Sequence, residues 1–224
     1  MESKKERKKI VVEIILVKYN NTQFEDPCIM SVIANTKEPY HLRAYNNYPI
    51  NYNIGKLWNR LIKESDAEYI CLLNTDTLVE PDWLKKLVEV FSLHKNVGVV
   101  GPTTTAAKTQ QAKEPKATEV KIVDFGNDYP GWCLSGFCIV FPKKVWEEVG
   151  GFPEDFGFYG QEVVLIDKMM DKGYRQLWRK DVFVWHAGQA TVKKAVASGE
   201  LDEEKERAIA REKFGKLREE RKKK

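Results

Sequence analysis

The stretch from residue 68 to residue 100 constrains the fold most. Residues 68–73 read as a buried strand, Asn74-Thr75-Asp76-Thr77 as a polar turn, and Pro81 with Asp82 as the opening of a helix. In that helix Trp83, Leu84, Leu87, Val88 and Phe91 recur at helical spacing, and residues 97–100 form a further strand. A strand, a helix and a strand in that order give a parallel pair joined by a crossover, with the helix packed on the sheet. The same alternation extends to both sides. Residues 10–17 (IVVEIILV) read as a strand, 28–34 (CIMSVIA) as a second, and 55–65 as a helix with Leu57, Trp58, Leu61 and Ile62 on one face. After a polar stretch, 103–121, which lacks aromatics, contains Pro115 and reads as a long surface loop, an apolar strand is expected around 133–141 and a helix at 143–149. A glycine-rich aromatic loop leads to a helix over 162–172 that stops at Gly173, then to strand-like 174–178 and 182–185. Residues 202–223 predict a charged helix with a narrow apolar stripe at Ala210, Phe214 and Leu217. The expected fold is α/β, a Rossmann-like three-layer αβα sandwich around a mainly parallel mixed sheet.

Length and charge narrow the function. A chain of 224 residues makes one large domain rather than two with separate cores. The expected division is a basic tail at 1–9, one domain at 10–192 and a charged C-terminal helix at 193–224. With 42% hydrophobic residues, wholesale disorder is excluded. The longest apolar runs fall far short of the roughly 20 residues of a membrane-spanning helix, so a soluble protein is expected. The basic N-terminus is followed by a short run that contains Glu13 and no small-residue cleavage site, which speaks against secretion. Cys28, Cys71, Cys133 and Cys138 mostly sit in apolar runs, as buried reduced thiols do, and a cytoplasmic compartment follows. Net charge is +4, but residues 1–9 carry five basic and two acidic side chains, and 211–224 carry eight and three. The remaining body is acidic, a poor footprint for nucleic acid. Basic ends are usually solvated; their alternative is a peripheral contact with an anionic membrane.

Three constellations have chemical potential. Asn74 and Asp76 lie two apart at the exit of a buried strand, where ligands bind in open α/β sheets; one carboxylate plus an amide suits a hard divalent cation, and a plain helix-preparing turn is the alternative. Glu162 follows a loop that also holds Glu154 and Asp155 among Phe152, Phe156, Phe158 and Tyr159. Aromatic walls raise a carboxylate's pKa and make it a proton acceptor, although Glu162 also suits a helix's first turn for its dipole alone. His186 follows the apolar VFVW and precedes Ala187-Gly188, as a ligand or as a hydrogen-bonded structural histidine. His41 and His94 have no such company.

The order of the pieces, VKYNN, NIGK, YICLLNTDTLVEPDWLKKLV, LSGFCIVFPKKVWEEVGGFPEDFGFYGQEVVLIDKMMDKGYR and VFVWHAGQAT, resembles the family 2 glycosyltransferases of GT-A fold, with a rhamnosyltransferase-like pattern. The resemblance covers about residues 10–192 and is most specific from Tyr69 to Ala190. It implies a hexosyltransferase-like, inverting enzyme that moves a sugar from a nucleotide-diphosphate donor to an acceptor hydroxyl, on a saccharide, a lipid-linked carrier or a protein. It implies a divalent metal, Mn2+ or Mg2+, held by Asn74 and Asp76 at the DxD-type motif and by His186. Glu162, second of the Gln161-Glu162 pair, stands at the position of the base. Tyr19, Asn20, Asn35, Asn53, Gly55, Lys56 and Asp76 fall where the donor is bound. Trp132, Ser135, Gly136, Asp155 and Tyr159 fall where the acceptor is expected. Three positions depart from the pattern: Ala34-Asn35 where the second strand would end in a base-reading Asp, Gln161 for Glu, and Val164 for an acid. They leave a weakly active or binding-only relative as the alternative, with a nucleotidyltransferase behind it.

Overall fold

The structure, a computed structural model, describes residues 12–49, 53–112 and 122–222. The basic stretch 1–9 and the middle of the polar loop with Pro115 lie outside the described residues. In chain order the elements are β1 (Val12–Lys18), α1 (Thr22–Asn35), β2 (Tyr40–Asn46), α2 (Ile54–Lys63), β3 (Tyr69–Leu73), β4 (Thr77–Val79), α3 (Trp83–Leu93) and β5 (Val97–Thr104). There follow β6 (Ile122–Asp124), α4 (Phe125–Asp128), β7 (Cys138–Pro142), α5 (Lys143–Glu148), α6 (Gln161–Asp171), β8 (Arg175–His186), α7 (Ala190–Ala197) and α8 (Glu203–Lys222).

The strands form a single mixed sheet in the order β2-β1-β3-β7-β5-β8-β4, with β6 beside β8. The pairings make β1, β2, β3, β5 and β8 point one way and β4, β6 and β7 the other. The carboxyl ends of the five co-directional strands therefore share one edge, where Lys18, Asn46, Leu73, Thr104 and His186 end their strands. Strand alternation sorts the core into two layers. Ile14, Leu16, Cys71, Leu73, Cys138 and Val140 face α1 and α3 through Cys28, Val32, Leu84, Leu87 and Val90. Ile15, Ile70, Leu72, Ile139 and Phe141 face α2, α5 and α6 through Leu57, Leu61, Ile62, Trp146, Leu165 and Ile166. Each such buried side chain contributes about 1.5–3 kcal/mol of transfer free energy. The three-layer α/β arrangement expected from the alternation is thus present.

One expected strand is a helix. Residues 28–34 belong to α1, where Glu25, Cys28 and Val32 are buried at helical spacing. The misleading apolar residues Met30 and Ile33 face solvent, 63% and 53% exposed. The buried carboxylate of Glu25 secures the start of α1: it accepts hydrogen bonds from the N–H groups of Tyr19 and Asn21, each 2.9 Å, with Lys18 Nζ at 3.6 Å. The second strand is instead β2, which the sequence pattern did not reveal because none of its side chains is fully buried and half-buried and exposed residues do not alternate regularly along it. Three further expectations are adjusted. Thr103 and Thr104 extend β5 and Gln110–Ala112 form a 3-10 turn with Gln111 fully buried, so the polar stretch is not a surface loop throughout. The strand expected from 133 begins at Cys138, and the two strand-like pieces near the end are one continuous β8. The position 192/193 falls within α7. No helix among the described residues is long and apolar enough to cross a membrane.

Candidate active site

A cavity of about 880 Å³ opens at the shared strand edge. Asp76 and His186 meet there because β4 pairs antiparallel with the end of β8, Thr77 opposite His186. Asp76 is 4% exposed. Its Oδ2 accepts the Ala190 N–H at the start of α7, 3.1 Å, and its Oδ1 lies 3.2 Å from His186 Nε2. The backbone of His186 is locked by Thr105: its N–H donates to Thr105 Oγ1 at 2.9 Å, and that hydroxyl donates to the His186 carbonyl at 2.8 Å. The imidazole stacks on Phe137 with centroids 5.2 Å apart.

The tautomer follows from the neighbours. His186 Nδ1 lies 2.8 Å from the Ala106 carbonyl, which can only accept, so Nδ1 carries the proton in the neutral ring and Nε2 a lone pair. Nε2 is buried and makes no hydrogen bond, although Asp76 Oδ1 faces it. A lone pair and a carboxylate oxygen at that distance call for a positive centre between them, a proton or a metal ion. The Asp76 carboxyl shows the same demand: burial pulls its pKa up, but the His186 imidazole and the Ala190 N–H outweigh that and leave it below its ordinary value. The donor set, a carboxylate and an imidazole with Asn74 lining the same cavity, fits a divalent ion. Among the described residues no group of three or more His, Cys, Asp or Glu converges on a point. An ion here would therefore complete its shell with water and ligand oxygens, as Mg2+ and Mn2+ commonly do.

Glu162 lines the same cavity from the first turn of α6. Gly160 precedes it with φ +98, the left-handed region that glycine tolerates, and a Cβ there would also meet the Phe214 ring at 2.6 Å. Burial pushes the Glu162 carboxyl above its ordinary value, opposed only weakly by backbone hydrogen bonds. Gly136 allows the close approach: a Cβ there would stand 2.9 Å from Glu162 Cγ. Neighbouring Gln161 is buried and its Nε2 donates to the Gly157 carbonyl. An ionised Glu has no proton for that bond, so the amide at 161 has a structural reason. Val164 is a buried apolar position on α6 and does not line the cavity.

Of the other expected residues, Tyr19, Asn53, Ser135 and Tyr159 line the cavity. Asn53 also caps α2 by accepting the Lys56 N–H at 3.1 Å. Tyr159 donates to Glu203 Oε1 at 3.1 Å under the Arg207 guanidinium, and burial first, then Glu203, pushes its hydroxyl to about 12. Six expected residues do not line the cavity. Asn35 ends α1 and bonds the Val79 carbonyl at 3.0 Å, a consequence of α1 being a helix. The residue that ends the second strand is Asn46, followed by Asn47, which does line the cavity. Asn20 turns the chain at φ +51; Gly55 lets α2 approach Pro153, whose carbonyl would be 2.3 Å from a Cβ there; and Lys56 is exposed. Asp155 is engaged by Lys213 at 2.7 Å, which holds its carboxyl below the ordinary value, and Glu154 accepts from Asn59 at 2.8 Å. Trp132 faces a second, neighbouring cavity.

The structure adds residues that no local pattern announced. Gln111 accepts the Ser135 N–H at 2.8 Å and donates to the Pro102 carbonyl at 2.7 Å, which positions the wall around Ser135 and Gly136. Glu206 and Arg207 bring α8 to the cavity rim. Glu206 accepts the Phe158 N–H at 2.5 Å, and Phe214 packs on Phe156 at 5.4 Å. The charge pattern of α8 gave no sign of these contacts, which join it to a loop some fifty residues away in sequence.

Comparison with known proteins bears on the fold and on part of the sequence. Residues 45–150 match the sequence model of Glycosyl transferase family 2. The chain is 24% identical over 185 residues to the O-antigen biosynthesis protein RfbC of Myxococcus xanthus, an alignment that covers 73% of this chain and 14% of that protein. The fold is similar to that of GalNAc-T7 solved with UDP, GalNAc and Mn2+ (TM-score 0.62, 12% identity, 80% of this chain and 44% of the other). It is similar to the mannosyltransferase PcManGT of Pyrobaculum calidifontis in complex with GDP-Man and Mn2+ (0.59, 16%, 80% and 57%) and to S. aureus TarS (0.60, 13%, 90% and 69%). The chain thus spans only a small part of the curated relative and about half of the first two structures. Over residues 45–150 the chain is thus similar in sequence to the family 2 glycosyltransferases, and its fold is the GT-A fold.

Proposed function

We propose that the chain is a glycosyltransferase that moves a sugar from a nucleotide-diphosphate donor to an acceptor hydroxyl, with inversion and with a divalent ion. The observation that carries this reading is the buried Asp76 and His186 pair, whose unpartnered Nε2 faces a carboxylate at the carboxyl edge of the sheet. Asp76 and His186, with Asn74 beside them, would hold Mn2+ or Mg2+, which when bound offsets the charge that builds on a departing diphosphate. Tyr19, Asn47 and Asn53 wall the nucleotide side of the cavity. Glu162, its pKa raised by burial, takes the proton of the acceptor hydroxyl. The freed oxygen forms a bond to the anomeric carbon from the face opposite the diphosphate, and the bond from that carbon to the phosphate oxygen breaks, its electron pair leaving with the diphosphate. Ser135, Gly136 and Tyr159 shape the acceptor side and hold the reactants in line. The similarity to an O-antigen biosynthesis protein supports a saccharide acceptor. The basic ends add a peripheral contact with an anionic membrane that presents such an acceptor on a lipid carrier.

Thermal-shift titration of UDP, GDP and dTDP with Mn2+ or with EDTA tests this reading, since a ligand of the native state raises the melting temperature. At least one nucleotide should stabilise the protein in Mn2+ only. Equal shifts in EDTA would overturn the metal-dependent site. Binding without release of nucleoside diphosphate would leave a binding-only relative, and release of pyrophosphate a nucleotidyltransferase.

A further inference from the structure

The loop from Asp155 to Gly160 leads straight into the helical turn that bears Glu162, and α8 grips it at one residue after another. Lys213 donates to the Asp155 carboxylate at 2.7 Å and to the carbonyl of the same residue. Phe214 packs on Phe156 with centroids 5.4 Å apart, and Glu206 Oε2 accepts the Phe158 N–H at 2.5 Å. Tyr159 donates to Glu203 Oε1 at 3.1 Å, and the Arg207 guanidinium lies 4.5 Å from its ring centre. Gly157, Phe158, Tyr159, Glu206 and Arg207 all line the main cavity, so the loop and α8 build one of its walls together. Both lie beyond residue 150, outside the part of the chain that matches the family model.

The loop is shaped to receive the helix. The backbone of Gly157 is not in the left-handed region, so its conformation does not call for glycine, but a Cβ there would collide with Glu206 Oε2. Glu206 in turn stands on a fixed backbone: Asp202 caps α8, accepting the Lys205 N–H through Oδ1 and the Glu206 N–H through its carbonyl, each at 3.1 Å. An N–H in an irregular loop has no strand or helix partner, and a carboxylate is a strong acceptor for it. From that bond a short path leads to the base. The Gly157 carbonyl accepts from Nε2 of Gln161, which is buried and directly precedes Glu162 in α6.

We propose that Glu206 is a positioning residue for the transfer: from α8 it fixes Gly157 and Phe158, and through Gln161 the first turn of α6, so that Glu162 stands where the acceptor proton is taken. The proposal rests on the glycosyltransferase reading. In this role Glu206 acts through the loop and takes no proton itself. A displacement of about 1 Å at a reacting group can cost about 10²-fold in rate, which is the demand such a clasp meets. The Asp76 and His186 side of the cavity is held separately, by the pairing of β4 with β8, so loosening the clasp should leave donor binding intact.

The test uses the full chain and two readouts. One is hydrogen exchange over residues 152–160; the other is release of nucleoside diphosphate from a panel of UDP-, GDP- and dTDP-sugars, to water or to methyl glycosides. Glu206→Ala should speed exchange at Phe158 by about tenfold or more. It should lower kcat by about 10²-fold, while donor KM and the nucleotide-induced thermal shift in Mn2+ stay as in the wild type. Glu206→Gln, whose amide oxygen still accepts the N–H, should recover part of both. Gly157→Ala breaks the same contact from the loop side, and combining it with Glu206→Ala should cost no more than Gly157→Ala alone. Faster exchange with unchanged kcat would make the contact merely structural and overturn the proposal. Losses that multiply in the double variant, or donor binding that falls together with kcat, overturn it too. A wild type that releases no nucleoside diphosphate from any donor would strike the glycosyltransferase reading and take the proposal with it, whereas an active wild type beside an equally active Glu206→Ala strikes the proposal alone.

Discussion

Asp76 and Glu162 face one cavity from two regions of the molecule, and burial acts on both carboxyls in the same sense. At Asp76, on the strand edge, the imidazole of His186 and the first N–H of α7 more than offset burial, so the acid stays ionised. At Glu162, on the loop-and-helix side, only backbone hydrogen bonds oppose burial, and the carboxyl is raised. Two like side chains are thereby set to opposite tasks, one to hold positive charge and one to accept a proton. The supports differ as well. The strand-edge half is held by sheet pairing and buried hydrogen bonds, whereas the loop from Gly151 to Gly160 is held from outside, by Asn59 of α2 and by Glu206, Lys213 and Phe214 of α8.

Substitutions can separate the two roles. Glu162→Gln should lower kcat by about 10²- to 10⁴-fold while nucleotide affinity holds, measured by steady-state transfer and by thermal shift. In the wild type the same kcat should rise with pH through a value above that of an ordinary carboxylate, and the variant should lose that limb. Gly136→Ala should displace Glu162 without removing it, since the new Cβ would lie 2.9 Å from Cγ; a loss of kcat of about 10²-fold with unchanged donor binding is expected, and a loss of donor binding would merge the two regions. Asp76→Ala should bring nucleotide affinity in Mn2+ down to its value in EDTA, a fall of at least about 10-fold, with the Glu162-dependent pH limb, where turnover remains measurable, still in place. The smallest effect is on stability. Glu162 has a raised native pKa, so its contribution is complete below its unfolded value of about 4.3 and is lost as pH rises through the native one. Glu162→Gln should therefore melt above the wild type at neutral pH, and the gap should close in acid; Asp76, with a lowered native pKa, contributes in the opposite window.

Much of this was legible without coordinates, and the limits have physical causes. The elements β1, β3, α2, α3, α5 and α6 were readable because each buries its own apolar side chains at its own period. Residues 28–34 were misread because a short apolar run has no period that separates strand from helix; Met30 and Ile33 resemble core residues until the helix turns them outward. That one error also misplaced the strand end at Asn35 instead of Asn46.

At the site, the chain's local order marked Asp76, His186 and Glu162, which the fold brings to one cavity, because strand ends and helix starts on one sheet edge share a face. Local order did not place Asp155 against Lys213, Trp132 in a separate groove, or Gln111 behind Ser135. Those assignments depend on contacts between segments far apart in the chain, whose meeting is decided by how helices pack on the sheet. The sequence alone determined which side chains have the chemistry and which elements bear them. Only the tertiary structure decided which of those side chains share a cavity, and which pKa rises and which falls, because both follow from neighbours that periodicity does not encode.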